Sequence, residues 1–436
     1  MSEIIWNNIL ATGYLLTWVV TLIWYQYKSK TIDGGTSVIC TYILYAIFSL
    51  LTLNDIMFSD LYLPLKIFPY IYLYLLLIIA LSPTIYIHLK PVNSIATPQS
   101  NILMLTSILI IVSSIFLIPD IVANFGTGFI KLLTETDAGK EAYMEQIKEA
   151  EDAGTGISNI PAIIYNAFSD INVFLCFYFM TLKKKNIWII SGLIFSMLIS
   201  IMIPLMHGQR GGVIAALLTA IVGYSLFQRY ISKKINRAIR ILGVTCLLAI
   251  AIPIAAITIS RFGNMGGGVV GFLNWYVGQS SLYFNNFALD AGGTRNGDRT
   301  LNLVKRVIDS DTPANYVERR DKYHNLNIDD DIFSTFVGDF VIDFGPITTF
   351  IIFVVFNAVI LVLIRPRDGT MKLHQVLLLY FTLCICMQGG MTLFSFADSG
   401  NLRILVLFLL YAYLRYHELL EVKFPLKRIN HEQENN

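Results

Sequence analysis

Long apolar runs separated by short polar turns dominate the chain. Each run is close to the length at which an α-helix crosses a hydrocarbon core of roughly 30 Å. Eleven spans are read, approximately Ile5–Tyr25, Ser37–Leu53, Phe68–Leu89, Asn101–Leu117, Pro161–Leu182, Ile187–Leu205, Val213–Phe227, Ile241–Ile259, Phe336–Ile364, Leu373–Gly389 and Ile404–Tyr413. The last is short unless it begins nearer Asn401. The pattern predicts an all-α, polytopic integral membrane protein, a single membrane domain over residues 1–436. Two longer polar segments, 119–160 and 261–335, interrupt the spans and are read as extracytoplasmic loops.

The basic residues orient these spans. Lys28 and Lys30, Lys183 to Lys185, Arg229 to Arg240, Arg365, Arg367 and Lys372 share one side with Arg415, Lys423, Lys427 and Arg428 in the tail. This requires the N-terminus outside and the C-terminus in the cytoplasm. Lys90 is the one basic position that this count leaves unplaced, unless an early span is miscounted. Composition agrees with the membrane class: the chain is 55% hydrophobic and 14% charged, with a mean hydropathy of +0.61. A net charge of +2 makes no case for nucleic acid. Cys40, Cys176, Cys246, Cys384 and Cys386 all fall in apolar runs, where they read as small core residues rather than disulfides or metal ligands. The first run is too long for a signal-peptide core and lacks a basic segment before it. No Walker loop, zinc-type cluster or dinucleotide fingerprint is present. No metal and no cofactor are therefore expected.

The polar turn Met206-His207-Gly208-Gln209-Arg210-Gly211-Gly212 is pinched between two spans. An arginine held there is costly without an anionic partner, and the helix that follows opens with positive partial charge. Together these read as a phosphate site, or as a plain turn whose Arg210 meets lipid headgroups. In the first long loop, Lys140 to Glu149 reads as a solvated surface helix. The second begins at Arg261 with a glycine-rich exit from the eighth span. Phe272 to Phe287 then alternates aromatics with amides and hydroxyls. That stretch reads either as a helix lying in or re-entering the interface, or as a sugar-binding wall of Trp275, Tyr276, Gln279, Asn285 and Asn286. Arg295, Arg299, Arg319 and Arg320 follow, suited to bidentate contacts with phosphate. Neighbouring Asp298, Glu318 and Asp321 would neutralise them if they paired locally. Asp339 and Asp343 are four apart, so a helix puts them on one face. Asp398 and Arg403 either complete the same site or pair with each other. Asp170 and Asn172 are the nearest thing to polar groups at mid-membrane, and a helix-packing hydrogen bond accounts for them.

Gln209-Arg210-Gly211-Gly212 resembles the Ser-Arg-Gly turn of the O-antigen ligases, with Gln209 in place of the serine. Tyr323-His324-Asn325 resembles their His-Asn near the end of the large loop. With Arg261 ending the eighth span and Gly338-Asp339…Asp343-Phe344-Gly345 opening the next, the arrangement of most of the chain resembles the Wzy-type oligosaccharide repeat-unit polymerases of bacteria. That resemblance implies a GT-C-like membrane glycosyltransferase of the bacterial cytoplasmic membrane, working without a metal on O-antigen, capsule or exopolysaccharide units. Donor and acceptor would be undecaprenyl-pyrophosphate-linked oligosaccharides at the outer leaflet, with a chain-length regulator and a flippase as partners. Arg210 and Arg261 would hold the pyrophosphate, assisted by Arg295, Arg299, Arg319 or Arg320. His324 is the first candidate for the base, with Glu318, Asp339 and Asp343 behind it. Ligase is the alternative within glycan chemistry, and a flippase or other transporter is the alternative outside it.

Overall fold

The computed structural model describes residues 3–29, 31–62, 64–90, 92–98, 101–123, 160–207, 209–262, 268–393 and 395–423. The surface helix read over 140–149 falls outside these residues. The described chain is helical apart from one pair of three-residue strands. The long helices are α1 (Glu3–Ser29), α2 (Gly34–Leu53), α3 (Ile67–Leu89), α4 (Ile102–Ile115), α5 (Ile160–Thr181), α6 (Ile187–Met206), α7 (Arg210–Phe227) and α8 (Lys233–Phe262). After them come α9 (Gly268–Asn286), two short helices α10 (Asn302–Ile308) and α11 (Tyr316–Lys322), then α12 (Thr335–Phe344), α13 (Pro346–Leu363), α14 (Leu373–Gln388) and α15 (Asn401–Lys423). Among the described residues nine helices are long and apolar enough to cross a membrane, and Leu373–Gln388 is a shorter apolar helix. The fold is that of a multi-pass membrane protein.

The span read as Phe336–Ile364 is two helices. The break falls at Gly345-Pro346, where Gly345 takes φ 77° and Pro346 starts α13. A proline has no N–H for the preceding turn and is at home in the first turn of a helix. The φ of Gly345 lies in a region that a side chain would strain. Apolar character runs on through the break, which hid it. As a result α12 is a ten-residue helix whose course is separate from the spanning helix behind it.

Lys90 also finds its place. Alternation of α1, α2 and α3 brings Lys90 to the end that holds Lys28. There β1 (Ser94–Ala96) pairs in parallel with β2 (Thr370–Lys372), Ile95 opposite Met371. Tyr230 donates to the Val92 carbonyl at 3.2 Å, and Arg229 bonds Thr31. All the early and late basic loops thus gather at one end, so no span needs to be recounted. At the same end Asp33 caps α2 through Thr36 and meets the His88 ring at 2.5 Å.

Helix α9 packs along α2. Ser49 donates to the Gly278 carbonyl at 2.6 Å and bonds Ser281 at 2.9 Å. A Cβ on Gly278 would stand 2.3 Å from the Phe48 backbone, so only glycine permits this approach. The aromatic–amide stretch is therefore a helix seated in the bundle, with Asn285 tied to the Lys66 backbone before α3. Cys176, Cys384 and Cys386 are buried as read, whereas Cys40 is exposed and Cys246 half-buried.

Candidate functional site

Two groups of arginines stand on the face opposite the basic loops. The first is the loop network above α12. The turn Arg295-Asn296-Gly297 has positive φ at its last two residues, and a Cβ on Gly297 would meet the Phe344 ring at 2.9 Å. That turn directs Arg295, fully buried, onto Asp343 at 2.8 Å and Asp330 at 2.6 Å. Asp343 also accepts from the Thr300 N–H and hydroxyl at 2.7 and 2.8 Å. Arg299 meets Asp339 at 2.7 Å and Thr392 at 2.9 Å. Asp339 takes two further donors, the Thr392 hydroxyl and the Leu393 N–H, both at 2.7 Å. Arg319 reaches Asp330 at 3.4 Å and pairs with Asp398. Arg320 pairs with Asp331 at 3.1 Å on the exposed surface.

The shared face of Asp339 and Asp343 is as the spacing predicted. Both are fully buried on α12, and each is surrounded by donors. Pairing does neutralise the loop arginines, but not with the acids next to them in sequence. Asp298 instead takes Lys305, Lys322 at 3.1 Å and the Tyr323 hydroxyl at 2.7 Å. Glu318 turns back to cap its own short helix, accepting from the Ala314 N–H at 2.7 Å. Asp330 was missed by the sequence reading, because it lies 35 residues from Arg295 and sits in no motif. Burial opposes ionisation of Asp330, but Arg295, Arg299 and Arg319 together hold it below the usual carboxylate range. Asp298 is likewise lowered: burial acts against it, and Lys305, Tyr323 and Lys322 outweigh burial. Burial pushes Asp398 up, with Arg319 pulling the other way.

The second group lies at the mouth of the helix bundle. Arg210 is the first residue of α7, only 4% exposed. Its guanidinium bonds Thr258 of α8 at 3.2 Å and lies 4.4 Å from the centre of the Tyr276 ring of α9. A cation over an aromatic face is favourable without cancelling its charge. Gly212 is required by packing, since a Cβ there would stand 2.8 Å from Pro204 of α6. Arg261 falls near the end of α8, and its side chain is outside the described residues. Arg403, in the first turn of α15, meets Asp170 of α5 at 3.4 Å. Asp398 and Arg403 therefore have different partners. Asp170 makes the expected helix-packing hydrogen bond, from the Thr219 hydroxyl of α7 at 3.4 Å, and in addition holds Arg403.

The five proposed sugar-wall residues divide. Tyr276 lies under Arg210, and buried Gln279 donates to the Tyr276 carbonyl at 3.2 Å. Trp275 stacks on Phe58 at 5.4 Å and Asn285 is occupied by the Lys66 backbone, so both serve packing. Asn286 is buried beside Asn285. His324 is exposed. Its Nδ1 lies 2.6 Å from the Asp321 carbonyl, which can only accept. Nδ1 therefore carries the proton and Nε2 is left basic. Among the described residues no His, Cys, Asp and Glu side chains gather in a metal-holding group. No family model, curated protein or solved structure matches this chain.

Proposed function

We propose that the chain is a membrane glycosyltransferase that polymerises surface polysaccharide at the outer leaflet. It would pass the growing glycan from undecaprenyl pyrophosphate to the non-reducing end of a new undecaprenyl-pyrophosphate-linked repeat unit. The observation that carries this reading is Arg210, a cation buried at the mouth of the bundle over an aromatic face. It stands where a lipid-borne pyrophosphate would meet the protein. Fixed positive groups stabilise leaving-group charge as it develops.

In the reaction the bond from the anomeric carbon to the pyrophosphate oxygen breaks, and an acceptor hydroxyl oxygen bonds that carbon. His324 Nε2 takes the hydroxyl proton, and lipid pyrophosphate leaves against Arg210. Of the four base candidates, His324 is exposed with Nε2 uncommitted, whereas the equally exposed Glu318 has both oxygens engaged in capping. Asp339 and Asp343 are buried and taken up by donors. An apolar pocket behind α12, lined by Phe336, Phe340, Phe353 and Phe408, suits a prenyl chain. The network of Arg295, Arg299 and Arg319 fixes the loop that carries His324, whose neighbour Tyr323 donates to the Arg295 carbonyl at 3.1 Å.

The test is the lipid-linked glycan profile of cells lacking the chain. Single repeat units in the outer leaflet are expected. Long chains that are never transferred onward would make it a ligase. A transporter reading draws on the Asp170–Arg403 pair inside the bundle, and units trapped at the cytoplasmic leaflet would favour it.

A further inference from the structure

Resting on that reading, we propose that Arg403 is a further anion-binding residue of the site, a ligand for a diphosphate group, and that Asp170 holds it in position. The argument starts from availability. Arg295, Arg299 and Arg319 each spend two or more contacts on aspartates and hydroxyls. Among the described residues the one hydrogen-bond partner of Arg403 is Asp170, reached through one nitrogen at 3.4 Å, and its side chain keeps 26% exposure. The other guanidinium nitrogens retain donors, and a guanidinium presents them as a planar fork that matches phosphate oxygens.

Its location is fixed from both sides. Above, Asn401 ties the start of α15 to the Thr300 carbonyl at 3.0 Å, the same threonine that binds Asp343. Below, Asp170 sits 11 residues before the end of α5 at Thr181, roughly 16 Å at 1.5 Å per residue. A carboxylate at such depth is retained for a function more often than for stability. Its surroundings are built polar: Tyr380 donates to the Asp170 carbonyl at 2.7 Å, and Gln388 donates to Thr219 at 2.6 Å. The Gln388 Oε1 is buried with no hydrogen-bond partner among the described residues. A buried acceptor left without a donor is costly. This cluster is therefore incomplete without a donor-bearing guest, such as water or a sugar hydroxyl.

The experiment measures binding to the full-length protein in detergent, with inorganic pyrophosphate and undecaprenyl pyrophosphate as separate probes. Arg403→Gln alone would orphan Asp170, so the informative variant is the double Asp170→Asn, Arg403→Gln, which removes both charges. Arg403→Lys keeps the charge without the fork. The double variant should lose roughly ten- to hundredfold in affinity, the size of one charged hydrogen bond, with Arg403→Lys between it and the wild type. The probe that shows the loss tells whether the free or the lipid-borne diphosphate is the ligand. A folded double variant binding both probes like the wild type would overturn the assignment. So would a wild type that binds neither. If binding depends on Arg403 while cells lacking the chain make normal polymer, the anion site stands and the polymerase reading falls.

Discussion

The outer loop and the bundle mouth both contain arginines, and they treat them in opposite ways. In the loop, Arg295, Arg299 and Arg319 are each matched with aspartates, and even the N–H and hydroxyl of Thr300 are aimed at a carboxylate. At the mouth, Arg210 bonds Thr258 and lies over the Tyr276 ring, and Arg403 meets one carboxylate oxygen of Asp170. A charge already neutralised by close partners has little left to offer a ligand. Buried pairs of the loop type fix geometry more than they add stability, yet breaking one is costly. Arginine count therefore locates the outer face, and dense pairing marks Arg295, Arg299 and Arg319 as its scaffold.

The largest effect should follow from breaking the scaffold. Asp343→Ala leaves Arg295 buried with half its partners and should destabilise by roughly 3–5 kcal/mol, seen in thermal unfolding of the detergent-solubilised protein. Replacing Arg295 and Asp343 together by Met and Leu should recover much of that loss. If the single and double variants unfold alike, the network is not what holds the loop. Arg210→Ala should behave in the reverse manner, with unfolding near the wild type and polymer yield down about 10²–10³-fold.

His324→Ala comes next. Loss of a positioned base costs about 10²-fold or more, read as turnover of purified enzyme with lipid-linked substrates, and unchanged turnover would remove His324 from the mechanism. A smaller effect concerns pH. Asp330 and Asp298 are lowered in the folded protein, so their stabilisation is complete above the ordinary carboxylate range and is lost as pH falls through it. Hydrogen exchange of segment 295–343, taken relative to the intrinsic amide rate at each pH, should be flat from neutral pH down to about pH 5 and rise below about pH 4. A rise beginning near pH 6 would implicate other groups. The smallest effect belongs to Arg320→Ala, whose pair with Asp331 is exposed on both sides. Neither stability nor polymer length should change.

Much of this division was legible in the sequence, and its limits have physical causes. Apolar periodicity located the helices because burial in lipid demands it. The four-residue spacing of Asp339 and Asp343 gave their common face. Partner identity was not legible: Arg295 to Asp330 and Arg403 to Asp170 are closures over long chain separations that no local pattern encodes. The acids beside the arginines in sequence were the wrong ones, since Glu318 is consumed by capping and Asp298 by two lysines and a tyrosine. The break at Gly345-Pro346 was written in the residues, but continuous hydrophobicity masked it. Trp275 and Asn285 read as sugar ligands or as part of an interfacial helix, and neither reading contained their contacts with Phe58 and the Lys66 backbone.

The most direct test of the central claim compares Arg210→Ala with the wild type in cells, following both the amount of folded protein in the membrane and the length of the lipid-linked glycan. The account predicts wild-type amounts of protein and single repeat units in place of chains. Normal chain length at normal protein level would contradict it, because Arg210 would then be one more structural cation.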